Sequence, residues 1–117
     1  MNNELETIIK AADSKRAANI QVLDIRELSI ISDYFIIMSG ETQRQVQAIA
    51  NEILDKAKEN NFPISRVEGL SEANWVVLDL GDYIVHVFDE DSYEFYELYR
   101  LWNTAKPVDV SEYIVED

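Results

Sequence analysis

Apolar residues recur at helical spacing in two stretches of the chain. The first stripe consists of Leu5, Ile8, Ile9 and Ala12, and the second of Val46, Ile49, Ala50, Ile53, Leu54 and Ala57. The first stripe predicts a helix over about residues 4–15. The second predicts a longer helix, which a capping box of Thr42 and Gln45 opens and which ends before Pro63.

Runs of β-branched and aliphatic residues predict strands beside these helices. Residues 19–25 form one such run, and the continuous apolar run at residues 33–38 is typical of a central strand that is buried on both faces. Residues 64–68 leave room for only a brief third strand before Gly69.

Residues 75–80 and 83–88 flank Gly81-Asp82 and predict a tight hairpin, because glycine supplies the positive φ that a two-residue turn requires. Such a turn fixes the register, which pairs Leu78 with Val85, Val77 with His86 and Trp75 with Phe88. One face of the hairpin is then apolar or aromatic and is the predicted core: Val76, Leu78, Leu80, Tyr83, Val85 and Val87. The opposite face is mixed and carries Trp75, Val77, Asp79, Ile84, His86 and Phe88.

The last part of the chain predicts a third helix and an acidic end. Asp91 and Glu94 are spaced to cap this helix, whose apolar repeat is Phe95, Leu98, Tyr99 and Trp102. Residues 108–117 are predicted as an edge strand or a frayed tail. The element order predicts an α/β (α+β) fold: one domain over residues 1–107, with a mixed sheet of about five strands covered by helices, and an acidic extension over residues 108–117.

Length and charge narrow the class of protein. The chain has 117 residues, which suits one domain, and a net charge of −13. Docking on a phosphate backbone needs clustered cations, so a basic protein surface rather than nucleic acid is the expected main contact. Because no apolar run approaches about 18 residues and the N-terminus has no targeting pattern, we expect a soluble cytoplasmic protein with no membrane contact.

The residue types offer little for catalysis. With no Cys and one His, the sequence excludes a disulfide framework, a thiolate nucleophile and a multi-histidine metal site within one chain. Its three glycines cannot form a Walker loop, and the acidic run that begins at Asp89 lacks the glycine of an EF-hand loop. His86 and Asp79 share a hairpin face, but no nucleophile accompanies them. We therefore predict no catalytic residue, no metal and no cofactor.

Acidic and aromatic residues concentrate in the same part of the chain. Residues 72–117 carry 12 acids and 2 bases, whereas residues 1–71 carry 11 acids and 8 bases. Both tryptophans and five of the six tyrosines lie in the acidic part. Aromatic side chains beside charge are typical of binding hot spots, and they equally suit a core with a solubilising surface. The pattern leaves both interpretations open.

Ordered blocks of residues resemble the Iojap, or ribosomal silencing factor S, family. In the first half these are residues 24–29, Asp33-Tyr34-Phe35-Ile36-Ile37, Ser39-Gly40, Thr42 and Arg44-Gln45-Val46. In the second half they are Val67-Glu68-Gly69, Trp75, Asp79, Gly81-Asp82, Val85-His86-Val87-Phe88, Tyr96-Glu97-Leu98 and Leu101-Trp102. The resemblance spans about residues 5–102, and its length makes it far more specific than a single short motif.

The resemblance implies a ribosome-associated factor on a fold similar to a nucleotidyltransferase core, without enzymatic activity. Such a factor binds the large ribosomal subunit through large-subunit ribosomal protein fourteen and sterically blocks small-subunit joining, which represses translation during starvation or stationary phase. Nucleotidyltransferases use a Gly-Ser turn and an Asp-x-Asp pair on strands. Here the turn reads Ser39-Gly40, and the hairpin strand carries only Asp79.

The resemblance and the predicted faces together indicate a partner-binding site. Trp75 is its expected anchor. Hydrogen bonds and charge are expected from Asp79, Asp82, His86 and Tyr96, and electrostatic steering from Glu94 and Glu97. Asn74 departs from the family, which often has Asp there, and residues 108–117 lie outside the resemblance. Two rival interpretations are a homodimeric adaptor and a residual nucleotide-binding enzyme.

Overall fold

A six-stranded mixed sheet packs against two helices in the computed structural model, which describes residues 3–27, 32–90 and 106–114. In chain order the elements are α1 (Asn3–Ser14), β1 (Ala18–Asp24), β2 (Tyr34–Gly40), α2 (Gln43–Glu59), β3 (Arg66–Glu68), β4 (Trp75–Asp79), β5 (Tyr83–Asp89), β6 (Lys106–Val108) and a short 3-10 helix (Ser111–Tyr113). This confirms the α+β class and the two helices and five strands that the patterns predict. The third predicted helix, from Asp91 onward, lies outside the described residues.

The sheet has the strand order β3-β4-β5-β2-β1-β6. β2 runs parallel to β5, and the other neighbouring strands are antiparallel. β2 therefore lies inside the sheet, as its apolar run predicts. β6 is one strand more than the expected five, and it forms the edge beside β1. Of the predicted acidic extension, only Val108 belongs to this strand, and Ser111–Tyr113 form the 3-10 helix.

The β4–β5 hairpin has the predicted register. Leu78 faces Val85, Val77 faces His86 and Trp75 faces Phe88. The turn between the strands contains Gly81 at φ 86°, the left-handed conformation that glycine adopts without a Cβ clash. Leu80 N–H donates to the Tyr83 carbonyl at 2.9 Å and closes this turn.

Helix α2 begins with the Thr42 half of the predicted capping box, and the reciprocal bond of Gln45 goes to the residue before the cap. Thr42 Oγ1 accepts a hydrogen bond from Gln45 N at 3.1 Å, and Gln45 Oε1 accepts one from Glu41 N at 2.6 Å. Gln45 Nε2 also donates to the carbonyls of Lys15 and Arg16, each at 3.1 Å. Thr42 thus caps α2, while the Gln45 side chain joins the residue before the cap to the residues that follow α1.

Both helices cover one face of the sheet and build the main core with it. The six residues predicted as the core face of the hairpin are all buried there: Val76, Leu78, Leu80, Tyr83, Val85 and Val87. Val110 is also buried in this core, with Tyr113 and Ile114 packed against it. Residues 108–114 therefore continue the packing of the domain.

The opposite face of the sheet, here called the mixed face, carries a second apolar cluster. It consists of Leu23, Ile25, Ile37 and Phe88, with Phe35 and Trp75 partly buried against it. Neighbouring strands β1 and β2 thus add apolar side chains beside those of the hairpin. In the described part of the chain, no helix is long and apolar enough to cross a membrane.

Candidate functional site

A tightly fixed loop leads into Trp75 at the edge of the mixed face. Gln47 Nε2 donates to the Leu70 carbonyl at 3.1 Å, and Gln43 Nε2 donates to Asn74 Oδ1 at 2.7 Å. Both glutamines project from α2, so this helix holds the loop in place. Ala73 is buried at φ 56°, a strained conformation that surrounding contacts must maintain. The start of β4 is therefore positioned by contacts on both sides.

Trp75 is half-buried in a cluster of aromatic rings. Its ring stacks on Phe88 with centroids 5.4 Å apart, and it lies 6.0 Å from the His86 ring. Phe35, from β2, packs edge-to-face with His86, and the centroids of these two rings are 4.9 Å apart. Aromatic pairs in such geometries add stability beyond their buried area. The cluster presents a partly exposed indole on a rigid base, as a binding anchor requires.

His86 is the polar centre of this cluster. It is 6% exposed, and its Nδ1 accepts a hydrogen bond from Trp75 Nε1 at 3.0 Å. Because Nδ1 is the acceptor, the neutral ring carries its proton on Nε2. Nε2 is buried and has no hydrogen-bond partner among the described residues. A buried donor without a partner costs about 1–3 kcal/mol, which makes this ring an unusual feature of the fold.

Burial lowers the pKa of His86 to about 4, because the charged imidazolium is poorly solvated there. In the unfolded chain the His86 ring takes up a proton near its ordinary pKa of about 6.5. In the folded protein the same ring stays neutral at this pH. The stability that this difference provides is complete above about pH 6.5 and falls as the pH drops toward 4.

We expect the free energy of unfolding of the wild-type protein to fall by about 1.4 kcal/mol more than that of His86→Asn between pH 7.5 and 5.5. Urea unfolding curves of both proteins at the two pH values measure this difference. Carboxylates common to both proteins cancel in the comparison. Equal losses in the two proteins would contradict a neutral, buried His86.

The two hairpin aspartates serve the turn. Asp79 Oδ1 accepts a hydrogen bond from Gly81 N at 3.1 Å, so the structure does not pair it with His86 as a general base would require. The Asp82 side chain is exposed, whereas its carbonyl accepts hydrogen bonds from Ser32 Oγ, Asp33 N and Tyr34 N at 2.7, 3.0 and 3.0 Å. Only the Asp82 carboxylate is presented to solvent in the manner of a charged contact.

The structure brings some of the predicted site residues together. Trp75 and His86 are in contact, Asp79 lies on the same face, and Asp82 lies at the adjoining turn. Tyr96, Glu94 and Glu97 lie outside the described residues. The sequence reasoning missed Phe35 as a member of the cluster. Its apolar run indicated a buried strand, but only the parallel pairing of β2 with β5 places it beside His86.

The cleft at the carboxyl ends of the parallel strands β2 and β5 gives little support for nucleotide binding. A cleft of about 260 Å³ at the start of α2 is lined by Glu41, Thr42, Gln43, Asp89 and Glu90. Three carboxylates here oppose a phosphate at the helix N-terminus, where an anion would otherwise be favoured. Within residues 3–27, 32–90 and 106–114, no group of three or more His, Asp or Glu side chains is arranged to hold a metal ion.

Comparison with known proteins extends the resemblance to the full sequence. A family model described as "Ribosomal silencing factor during starvation" matches residues 1–117. The chain is 45% identical over 106 residues to ribosomal silencing factor RsfS of Bacillus subtilis, covering 91% of this chain and 90% of that protein. A crystal structure of a Bacillus halodurans protein matches with a TM-score of 0.83 and 39% identity, covering 93% of this chain and 100% of that one.

A more distant relative carries a name that concerns ribosome assembly. The mouse protein called mitochondrial assembly of ribosomal large subunit protein 1 is 24% identical over 102 residues, covering 85% of this chain and 45% of that protein. The two bacterial matches, by contrast, cover at least nine-tenths of both aligned chains and have higher identity. Because the family match spans residues 1–117, the chain belongs to the ribosomal silencing factor RsfS family.

Proposed function

We propose that this protein represses translation by occlusion: it binds the large ribosomal subunit through large-subunit ribosomal protein fourteen and covers the surface on which the small subunit would dock. Family membership supports the ribosomal role, and the name of the mouse relative supports the large subunit as the target. No chemical step is needed, and the protein acts in the cytoplasm as a reversible physical block.

The observation that carries this proposal is the partly exposed Trp75, which packs on its aromatic cluster. An indole that stacks on Phe88 and is hydrogen-bonded to His86 loses little rotamer freedom when a partner binds, so its apolar area contributes fully to affinity. Val77 and Ile84 are also half-buried on the mixed face. Together they offer a partner an apolar centre of the kind found in protein interfaces.

Charge supports a basic partner. The chain carries a net charge of −13, and residues 72–117, which include the β4–β5 hairpin, contribute a net −10 of it. This negative charge attracts a basic ribosomal protein and is repelled by the phosphates of exposed ribosomal RNA. The protein is therefore expected to recognise a protein patch on the subunit and not its phosphate backbone.

Sedimentation of the purified protein with separated ribosomal subunits tests the proposal. We expect the protein to pellet with large subunits only, and we expect small subunits added afterwards to remain unjoined. Large subunits without the protein, which should join normally, provide the control. Absence of binding at both low and moderate salt would refute the proposal, and binding without blocked joining would refute occlusion.

Asp82→Asn is expected to weaken binding to the large subunit by about twofold to fivefold at low salt, with a smaller effect at high salt. The Asp82 carboxylate is exposed at the turn beside the mixed face, and its loss removes one charge from the approach to a basic partner. Asp55→Asn is the matched control, because Asp55 is also exposed and lies on α2, which packs on the other face of the sheet. Equal effects of the two substitutions would assign the attraction to net charge and not to this surface.

A further inference from the structure

We propose that His86 is a positioning residue, which fixes the orientation of the Trp75 indole through the Nδ1 lone pair of its neutral, Nε2-protonated ring. The part of this inference that concerns binding rests on the proposed function. The part that concerns the free protein stands on the geometry of the mixed face alone.

The position of the Nδ1 acceptor is fixed because the imidazole ring has little freedom to turn. Phe35 packs edge-on against it with ring centroids 4.9 Å apart. The Phe88 ring lies nearly parallel to it with centroids 6.3 Å apart. The ring is 6% exposed and sits in β5 between two paired strands. The lone pair therefore points in one direction. Trp75 Nε1 donates its hydrogen bond to it, with Nε1 and Nδ1 3.0 Å apart.

Among the residues that the structure describes, no charged group on the mixed face is hydrogen-bonded to this ring. Asp79, on β4, is hydrogen-bonded to Gly81 N, while Arg66 and Glu68, on β3, lie opposite Asp79 and Val77. β2 faces the ring with Phe35 and Ile37. Within the described ranges, the hydrogen bond to Trp75 is thus the polar contact that selects the tautomer of His86.

This arrangement determines which part of the Trp75 side chain a partner can contact. The indole N–H is already bound inside the protein, so the partner meets the apolar surface of the ring in one fixed orientation. A hydrogen-bond acceptor on the partner would have to compete with His86 Nδ1. We therefore expect the recognised feature on the partner to be an apolar or cationic group that packs on the indole face.

Nitrogen NMR of the histidine ring tests the geometry in the free protein. The chain contains one His, so protein labelled with [15N]histidine and free of a histidine tag gives the signals of one imidazole. At pH 7 we expect a protonated Nε2 and an unprotonated, hydrogen-bonded Nδ1, with no titration down to pH 5. A proton on Nδ1, or a midpoint near the ordinary value of about 6.5, would overturn the proposal.

Two substitutions test the role in binding, because each keeps a polar atom near one ring nitrogen. His86→Asn can place its amide oxygen near the Nδ1 position and accept from Trp75, whereas the longer Gln side chain reaches toward the Nε2 position. We expect His86→Asn to bind large subunits within about threefold of wild type and His86→Gln to lose about tenfold. The opposite order, equal losses or no loss in either variant would overturn the positioning role.

The control measurements separate positioning from folding and from the proposed function. Thermal unfolding shows whether each variant is folded at the assay temperature, and the indole N–H resonances, assigned with Trp75→Phe, show whether Trp75 remains hydrogen-bonded. If either variant fails to fold, the tautomer of the wild-type ring decides the question. If wild type does not bind large subunits, the proposed function fails, while the NMR result still confirms or rejects the orientation of Trp75.

Discussion

Trp75→Ala is expected to weaken binding to the large subunit by about 30-fold or more, or ~2 kcal/mol, when affinity is measured by sedimentation or fluorescence. Truncation removes the partly exposed indole from the mixed face and leaves His86 Nδ1 without its donor. It also opens a gap above Phe88, against which the indole stacks. The loss should therefore combine missing contact area with a less ordered binding surface.

Trp75→Phe provides the graded comparison. It keeps a ring that can stack on Phe88 but cannot donate to His86, so we expect an affinity between those of wild type and Trp75→Ala. Circular dichroism and thermal unfolding confirm that both variants are folded, which is expected because Trp75 is only half-buried. If Trp75→Ala is folded and binds with unchanged affinity, Trp75 is not the anchor.

Gly69→Ala is expected to lower the free energy of unfolding by about 3 kcal/mol. Gly69 has a φ of 79°, which disfavours any residue with a Cβ, and that Cβ would lie only 2.2 Å from the Trp75 carbonyl oxygen. The loop would have to move away from the start of β4. Urea unfolding measures the loss of stability, and a weaker affinity for large subunits would report the displacement of Trp75.

Gly81→Ala separates the cost of the positive φ from the cost of the close approach to Trp75. Gly81 has a similar φ of 86°, but its added Cβ would meet only the Pro63 side chain, at 3.1 Å and beyond. We expect this substitution to cost about 1–2 kcal/mol, which is the cost of the backbone conformation with a small adjustment of Pro63. If Gly69→Ala is no more destabilising than Gly81→Ala, the close approach of the loop to Trp75 has no energetic consequence.

The elements predicted best are those whose interactions are local. Thr42 and Gln45 are three positions apart, so the cap is visible in the sequence, and the structure has its bond from Gln45 N to Thr42. The hairpin register follows from a two-residue turn, which brings Val77 opposite His86 without reference to the rest of the chain. Periodicity likewise identified both helices, because the burial of their apolar stripes needs no knowledge of the partner surface.

The features that the sequence did not predict depend on contacts between distant segments. Nothing in the local pattern states that β2 pairs in parallel with β5, so the contact of Phe35 with His86 could not be predicted. The hydrogen bond of His86 was equally hidden. Asp79 is diagonal to His86 on the hairpin and shares its face, but its carboxylate accepts a hydrogen bond from the turn amide of Gly81. The indole N–H of Trp75 takes its place.

The Asp82 carbonyl has a consequence for the order in which the protein folds. Its bond from Ser32 Oγ joins residues 50 positions apart, whereas the bond between Trp75 and His86 spans only 11. A loop of the first length closes more slowly, so the hairpin is expected to form before β2 docks beside it. The hairpin turn then offers β2 a fixed starting point. Phe35, which β2 carries, is thereby expected to join the aromatic cluster last, and the surface proposed to bind the ribosome is completed only when β2 has docked.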